Sequence, residues 1–192
     1  MEFFNWWIVL FIKLVFSQYT SIFRPNLPSG EYKTKIYAFL PCNYTNDYLL
    51  QFNYYISKTS PSKYMLMGNI TFLIIFDDSL FVNVNYAMKG SNGGWIDNAH
   101  IMSSNNACSS FKTFFGNNWL EFAKAFQFNV IDCPIKPGIY KSIGYDTSKL
   151  TVHSMQKVFF YGEYKVTVKY LNSSGKVLGC FSLLQDVLRP WE

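Results

Sequence analysis

His100, His153 and the acid pair Asp77-Asp78 are the side chains in this 192-residue chain whose types invite a catalytic reading. A serine nucleophile needs a histidine base steadied by an acid, but such a trio can be picked on paper from almost any chain. Here no nucleophile-elbow pattern surrounds a serine. Cysteine–histidine catalysis needs a free thiol, and the four cysteines, Cys42, Cys108, Cys133 and Cys180, are expected to be bridged. Asp77-Asp78 falls between two strand-like stretches, where a turn accounts for it. The sequence therefore assigns no catalytic residue and calls for no cofactor. With no CxxC and two histidines it assigns no metal site.

The second chemistry is apolar. Aromatic residues make up 20% of the chain against 15% charged, with 19 Phe and 14 Tyr. Two architectures use that much ring surface: an aromatic-rich β core, or a β layer that also lines a ligand cavity. Composition is compatible with both. A closed cup lined with Phe, Leu and Ile would take an acyl chain out of water at roughly 0.8 kcal/mol per CH₂, so about ten methylenes would hold it tightly before the entropic costs of binding. Trp95, on a glycine-rich tip, and Phe114, Phe115 and Trp119 are the residues placed at the mouth, with Phe122 and Phe126 on the same helical stripe. A cross-strand core contact is an equal reading for Trp95. For Phe122 and Phe126, packing of an amphipathic helix onto the sheet is the stronger one.

These side chains need a frame, and the frame reads as β. Tyr32 to Leu40 and Tyr48 to Ser57 are strand-like, the second with Leu50, Phe52, Tyr54 and Ile56 on one face. Ile70 to Phe76 is apolar on both faces, which predicts a central strand. Val82, Val84, Tyr86 and Met88 alternate with Asn83, Asn85 and Lys89, giving one dry and one wet face. Gly90 to Gly94 is a hairpin tip. Tyr164, Val166, Val168 and Tyr170 alternate with lysines and threonine, Asn172-Ser173-Ser174-Gly175 turns, and Lys176 to Leu184 returns. The exception lies between Cys108 and Cys133, where Phe111, Phe115, Trp119, Phe122 and Phe126 recur at helical spacing. It predicts one or two turns to Phe115, a break at Gly116-Asn117, and a short helix from about Asn118 to Phe126.

The net charge of +5 is spread over alternating lysines such as Lys33, Lys35, Lys165 and Lys169. No basic patch of the kind nucleic acid requires is formed. Phe3 to Phe16 is an apolar run broken by Asn5 and Lys13, and Val15-x-Ser17 precedes a cut, so residues 1–17 read as a signal peptide. Glu2, with no Lys or Arg beside it, departs from the usual leader; a signal anchor is the alternative, though the run is shorter than the roughly 20 residues of a membrane span. Residues 18–192 then suit one domain. Three glycosylation sequons, at Asn43, Asn69 and Asn172, agree with a secretory route. Four cysteines permit three pairings, and spacing does not choose among them.

Cys133-Pro134 with Gly138 and Tyr140, then Gly162 to Val166, then Ser173-Ser174-Gly175-Lys176-Val177-Leu178-Gly179-Cys180, resemble the C-terminal half of the ganglioside activator protein and its lipid-recognition (ML-type) family. Met67-Gly68-Asn69-Ile70-Thr71 and Gly93-Gly94-Trp95-Ile96 are looser matches upstream, so the resemblance spans roughly Gly68 to Leu184. It implies a β-cup with an apolar interior that holds a lipid or glycolipid. It also implies bridges Cys42–Cys180 and Cys108–Cys133; the family's further bridges near the Trp loop and the Cys-Pro motif are absent here. The matching loops would surround the cavity mouth and touch a membrane surface transiently. The partner it implies is a glycoside hydrolase, with this chain as a non-catalytic activator, secreted or lysosomal. The fold expected is all-β, an antiparallel β-cup or sandwich with a short helical lid segment and two disulfides. The competing expectation is an extracellular β-sandwich with a solid aromatic core that binds another protein. Room between the inner-face rings would distinguish the cup from it.

Overall fold

Apolar and polar residues that alternate along the chain become strands in the computed structural model, which describes residues 27–42, 47–61, 63–150 and 157–192. Among these the order is β1 (Ser29–Gly30), β2 (Lys33–Pro41), β3 (Leu50–Ser60), β4 (Lys63–Phe72), β5 (Phe81–Lys89) and β6 (Trp95–Ser104). Two helices follow, α1 (Ala107–Phe115) and α2 (Trp119–Ala125), joined by a 3₁₀ turn at Gly116–Asn118. The chain then forms β7 (Gly138–Lys141), β8 (Tyr145–Asp146), β9 (Phe159–Phe160), β10 (Gly162–Leu171) and β11 (Val177–Leu188). The leader, residues 1–17, lies outside the described residues, as do Asn43 and His153.

Two antiparallel layers result. One runs β6-β5-β10-β11-β2, with Val166 opposite both Tyr86 and Leu183, and Ile36 opposite Gln185. The other pairs β3 with β4, and β4 with β7 and β8. Among the described residues a single parallel bridge, Gly179 to Leu50, joins the layers. A Cβ at position 179 would stand 2.6 Å from the Leu50 carbonyl oxygen, so this approach requires glycine. Rings from the two layers meet between them, Phe52 stacked on Tyr170 at 5.3 Å and Tyr54 edge-on to Phe181 at 5.6 Å.

The turns follow from local chemistry. Gly93 and Gly175, both at positive φ, close the β5–β6 and β10–β11 hairpins. At the second, the Asn172 Oδ1 accepts hydrogen bonds from the backbone N–H groups of Ser174 and Lys176. The Asp78 carboxylate accepts from the Ser109 N–H at 2.7 Å and from its hydroxyl, which satisfies an otherwise open donor in the first turn of α1. Asp77 closes its own turn by accepting from Ser79. The two acids thus serve different turns.

Cys42 is bridged to Cys180, tying the end of β2 to β11, and Cys108 to Cys133, tying α1 to the segment before β7. These are the pairings that the family resemblance implies. Several strand ends differ from expectation: β3 runs on to Ser60 and β11 to Leu188, past Ser57 and Leu184. The central strand runs from Lys63 to Phe72 instead of reaching Phe76, and Leu73 and Ile75 are 56% and 51% exposed. The reason is that Phe76, fully buried, exchanges backbone hydrogen bonds with Ile135, which draws the chain out of the ladder. Among the described residues no helix is long and apolar enough to cross a membrane.

Candidate functional site

Valine is the smallest of the strand-forming apolar residues, and β5 and β10 use it repeatedly on the face turned toward the second layer. Val82, Val84, Val166 and Val168, with Phe181 and Leu183 of β11, form a floor. Above it stand Phe111, Phe115 and Phe122 of the helices and Tyr54 and Leu66 of β3 and β4. Between floor and roof is a cavity of about 90 Å³, several times the ~10–15 Å³ that one water needs on the same measure. Its floor extends from Phe181 to Gln185, about 13 Å along the strand at ~3.3 Å per residue.

The roof does not collapse onto the valines because its rings brace one another. Phe115 stacks on Phe122 at 3.8 Å, Phe122 meets Phe126 at 4.6 Å, and Phe111 meets Phe115 edge-on at 5.2 Å. Behind them, the buried Trp119 donates its indole N–H to the Ile131 carbonyl at 2.6 Å. The Cys108–Cys133 bridge fixes the start of α1 to the same segment of chain.

Among the described residues no charged side chain lines the cavity. Its polar groups are neutral. Ser110 is engaged with Ser104 at 2.8 Å. Burial pushes the Tyr54 phenol well above its ordinary pKa, with Tyr170 beside it adding to the shift, and burial raises Tyr170 in the same way. Both therefore present hydroxyls and not phenolates. Burial raises the Tyr86 phenol as well, and Gln185 completes the set. A surface groove between β6 and α1, formed by Met102, Ser103, Ser104 and Thr113, shares Val82, Val84, Ser110 and Phe114 with the cavity wall. Phe114 thus borders both spaces.

No protein-family model matches the chain, and no curated protein does. Among solved structures it is similar to chicken MD-1 complexed with lipid IVa, with 12% sequence identity over 82% of this chain and 99% of that chain and a TM-score of 0.33.

Of the six residues that the sequence places at a cavity mouth, the structure brings Phe114, Phe115 and Phe122 to the cavity wall. Trp119 and Phe126 are buried behind them, Phe126 against Tyr54. Trp95 stands apart on the outer face of β6, paired with Lys89 and with the Lys165 ammonium 5.5 Å from its ring. His100 is held among Tyr86 and Phe159 rings on β6. Asn69 lies on β4, its amide donating to Thr71, and Asn172 in the β10–β11 turn. Sequence reasoning found the valine face but not Gln185. Its signal is the place it takes in the series Phe181, Leu183, Gln185, Val187, where a polar residue occupies an apolar period.

Proposed function

We propose that this protein is a non-catalytic lipid-binding protein that works in an oxidising compartment and holds an acyl portion of its ligand between the valine floor and the phenylalanine roof. The observation that carries the reading is the room left between those surfaces. A solid sandwich would interdigitate its inner rings at crystal-like density, whereas here neutral, apolar walls enclose space about 13 Å long. An extended chain of about ten methylenes matches that length and would leave water at ~0.8 kcal/mol per CH₂. Two disulfides support the compartment, since such bridges persist outside the reducing cytosol.

The finer reading rests on the motifs around Cys133 and Cys180. On it, residues 18–192 form a single lipid-recognition domain behind a signal peptide of residues 1–17, glycosylated at Asn43, Asn69 and Asn172. It takes a glycolipid from a membrane surface in a brief contact, with Trp95, Phe114, Phe115, Trp119, Phe122 and Phe126 around the entrance, and presents it to a glycoside hydrolase.

Native mass spectrometry of the secreted protein, followed by organic extraction, tests the general reading. Lipid co-purifying near one to one is the expected result. Protein that arrives empty and takes up no labelled phospholipid or glycolipid from vesicles would overturn it in favour of a protein-binding sandwich.

A further inference from the structure

β11 keeps Phe181, Leu183 and Val187 on its inner face and interrupts them with Gln185, which is 3% exposed. The side chain borders the cavity, and no hydrogen bond of its carboxamide is found among the described residues; it is not sealed off as the unpartnered His100 Nε2 is, so its polar end meets open space. Burying an amide unpaired is unfavourable, and a leucine would fit the strand pattern without that penalty. Its ladder neighbours do not supply a partner: Ile36 is apolar, and the Tyr164 hydroxyl donates to the Phe160 carbonyl at 3.1 Å. Of the three phenols of the cavity, Tyr54 meets Phe181 and Tyr170 belongs to the far end, while Tyr86, opposite Val166, lies nearer Gln185. Tyr170 pairs with Gly179, six residues and about 20 Å from Gln185 along β11.

The chemistry of the missing partner follows from the walls. Without a charged side chain among the described lining residues, a carboxylate or phosphate carried to Gln185 would be stripped of water and meet no counter-charge. A carboxamide offers two N–H donors and an acceptor oxygen. It suits a hydroxyl, or the carbonyl of an amide or ester.

Resting on the cavity reading above, we infer that Gln185 determines specificity, selecting an uncharged lipid whose apolar body carries a hydroxyl or carbonyl at the Gln185 end of the cavity. A pocket built to hydrogen-bond such a group discriminates strongly against the analogue that lacks it.

The test measures affinities of the full secreted protein for three probes of equal chain length: 1-dodecanol, dodecane and dodecanoate. Wild type is compared with Gln185→Leu and Gln185→Met, both of which suit a buried strand position. Each variant should lose about tenfold in affinity for the alcohol while holding or gaining affinity for dodecane, and wild type should bind the alcohol more tightly than the carboxylate. Equal effects on alcohol and alkane, or no effect on either, would overturn the role of Gln185 and leave the cavity reading intact. The same holds for a wild type that prefers dodecanoate. A wild type that takes up none of the probes would overturn the cavity reading and this inference with it.

Discussion

The phenylalanines of the helical segment and the valines of β5 and β10 face the same interior but use it in opposite ways. Among the helices, Phe111, Phe115, Phe122 and Phe126 lie in continuous ring contact, with Phe122 touching neighbours on every side. Across from them, Val82, Val84, Val166 and Val168 are too short to reach that cluster, and the space stays open. A cavity in a chain so rich in rings thus arises because the large residues are spent on bracing one wall while the other wall is built from small ones. Close packing of the first region is what keeps the second from filling in.

Removing the brace should have the largest effect. Phe122→Ala deletes a fully buried ring and is expected to lower unfolding stability by about 3–5 kcal/mol, read by chemical denaturation, with lipid uptake falling as the roof settles. A change of stability below about 1 kcal/mol would show that the ring cluster is not tightly packed. Adding volume to each wall sharpens the contrast. Ala123→Leu, in the packed cluster, should cost about 1–3 kcal/mol. Val84→Phe, on the floor, should cost less than that while abolishing uptake of a labelled lipid; equal costs at both sites would erase the distinction drawn above.

The smallest effect concerns how α1 is seated. Hydrogen bonds from the Ser109 hydroxyl and N–H hold the Asp78 carboxyl below its ordinary pKa. A carboxyl whose pKa is lowered by folding contributes stability that is present above the unfolded value of about 3.9 and lost as pH falls through the lowered folded value. Asp78→Asn should therefore cost roughly 0.5–1 kcal/mol at neutral pH and nothing at a pH below both values. A penalty that persists undiminished in acid would mean that the charge is not what seats the helix.

Much of this was legible in the sequence. Period-two alternation marked β5 and β10, the Asn172–Gly175 turn and the apolar run after it marked β11, and the three-to-four spacing of rings marked the helical segment with its break at Gly116, where φ is positive. The end of β4 was not legible, because Ile74, Ile75 and Phe76 continue the apolar pattern and only the distant Ile135 takes Phe76 out of the ladder. The candidate site was half legible. Helical spacing brought Phe115 and Phe122 together, but it could not say that Trp119 and Phe126 would lie behind them. Trp95 shows a different limit. A residue at the first position of a strand can face either side, and here the register with Lys89 sends it outward.

The bridge between Gly179 and Leu50 leaves the two layers hydrogen-bonded through strand pairing at one place among the described residues. They resemble two pages sewn at a single stitch. Away from that stitch, a gap of a different width would stretch side-chain contacts without breaking any ladder, so guests of differing girth would be accommodated by splaying the free margins while the stitched end kept its shape.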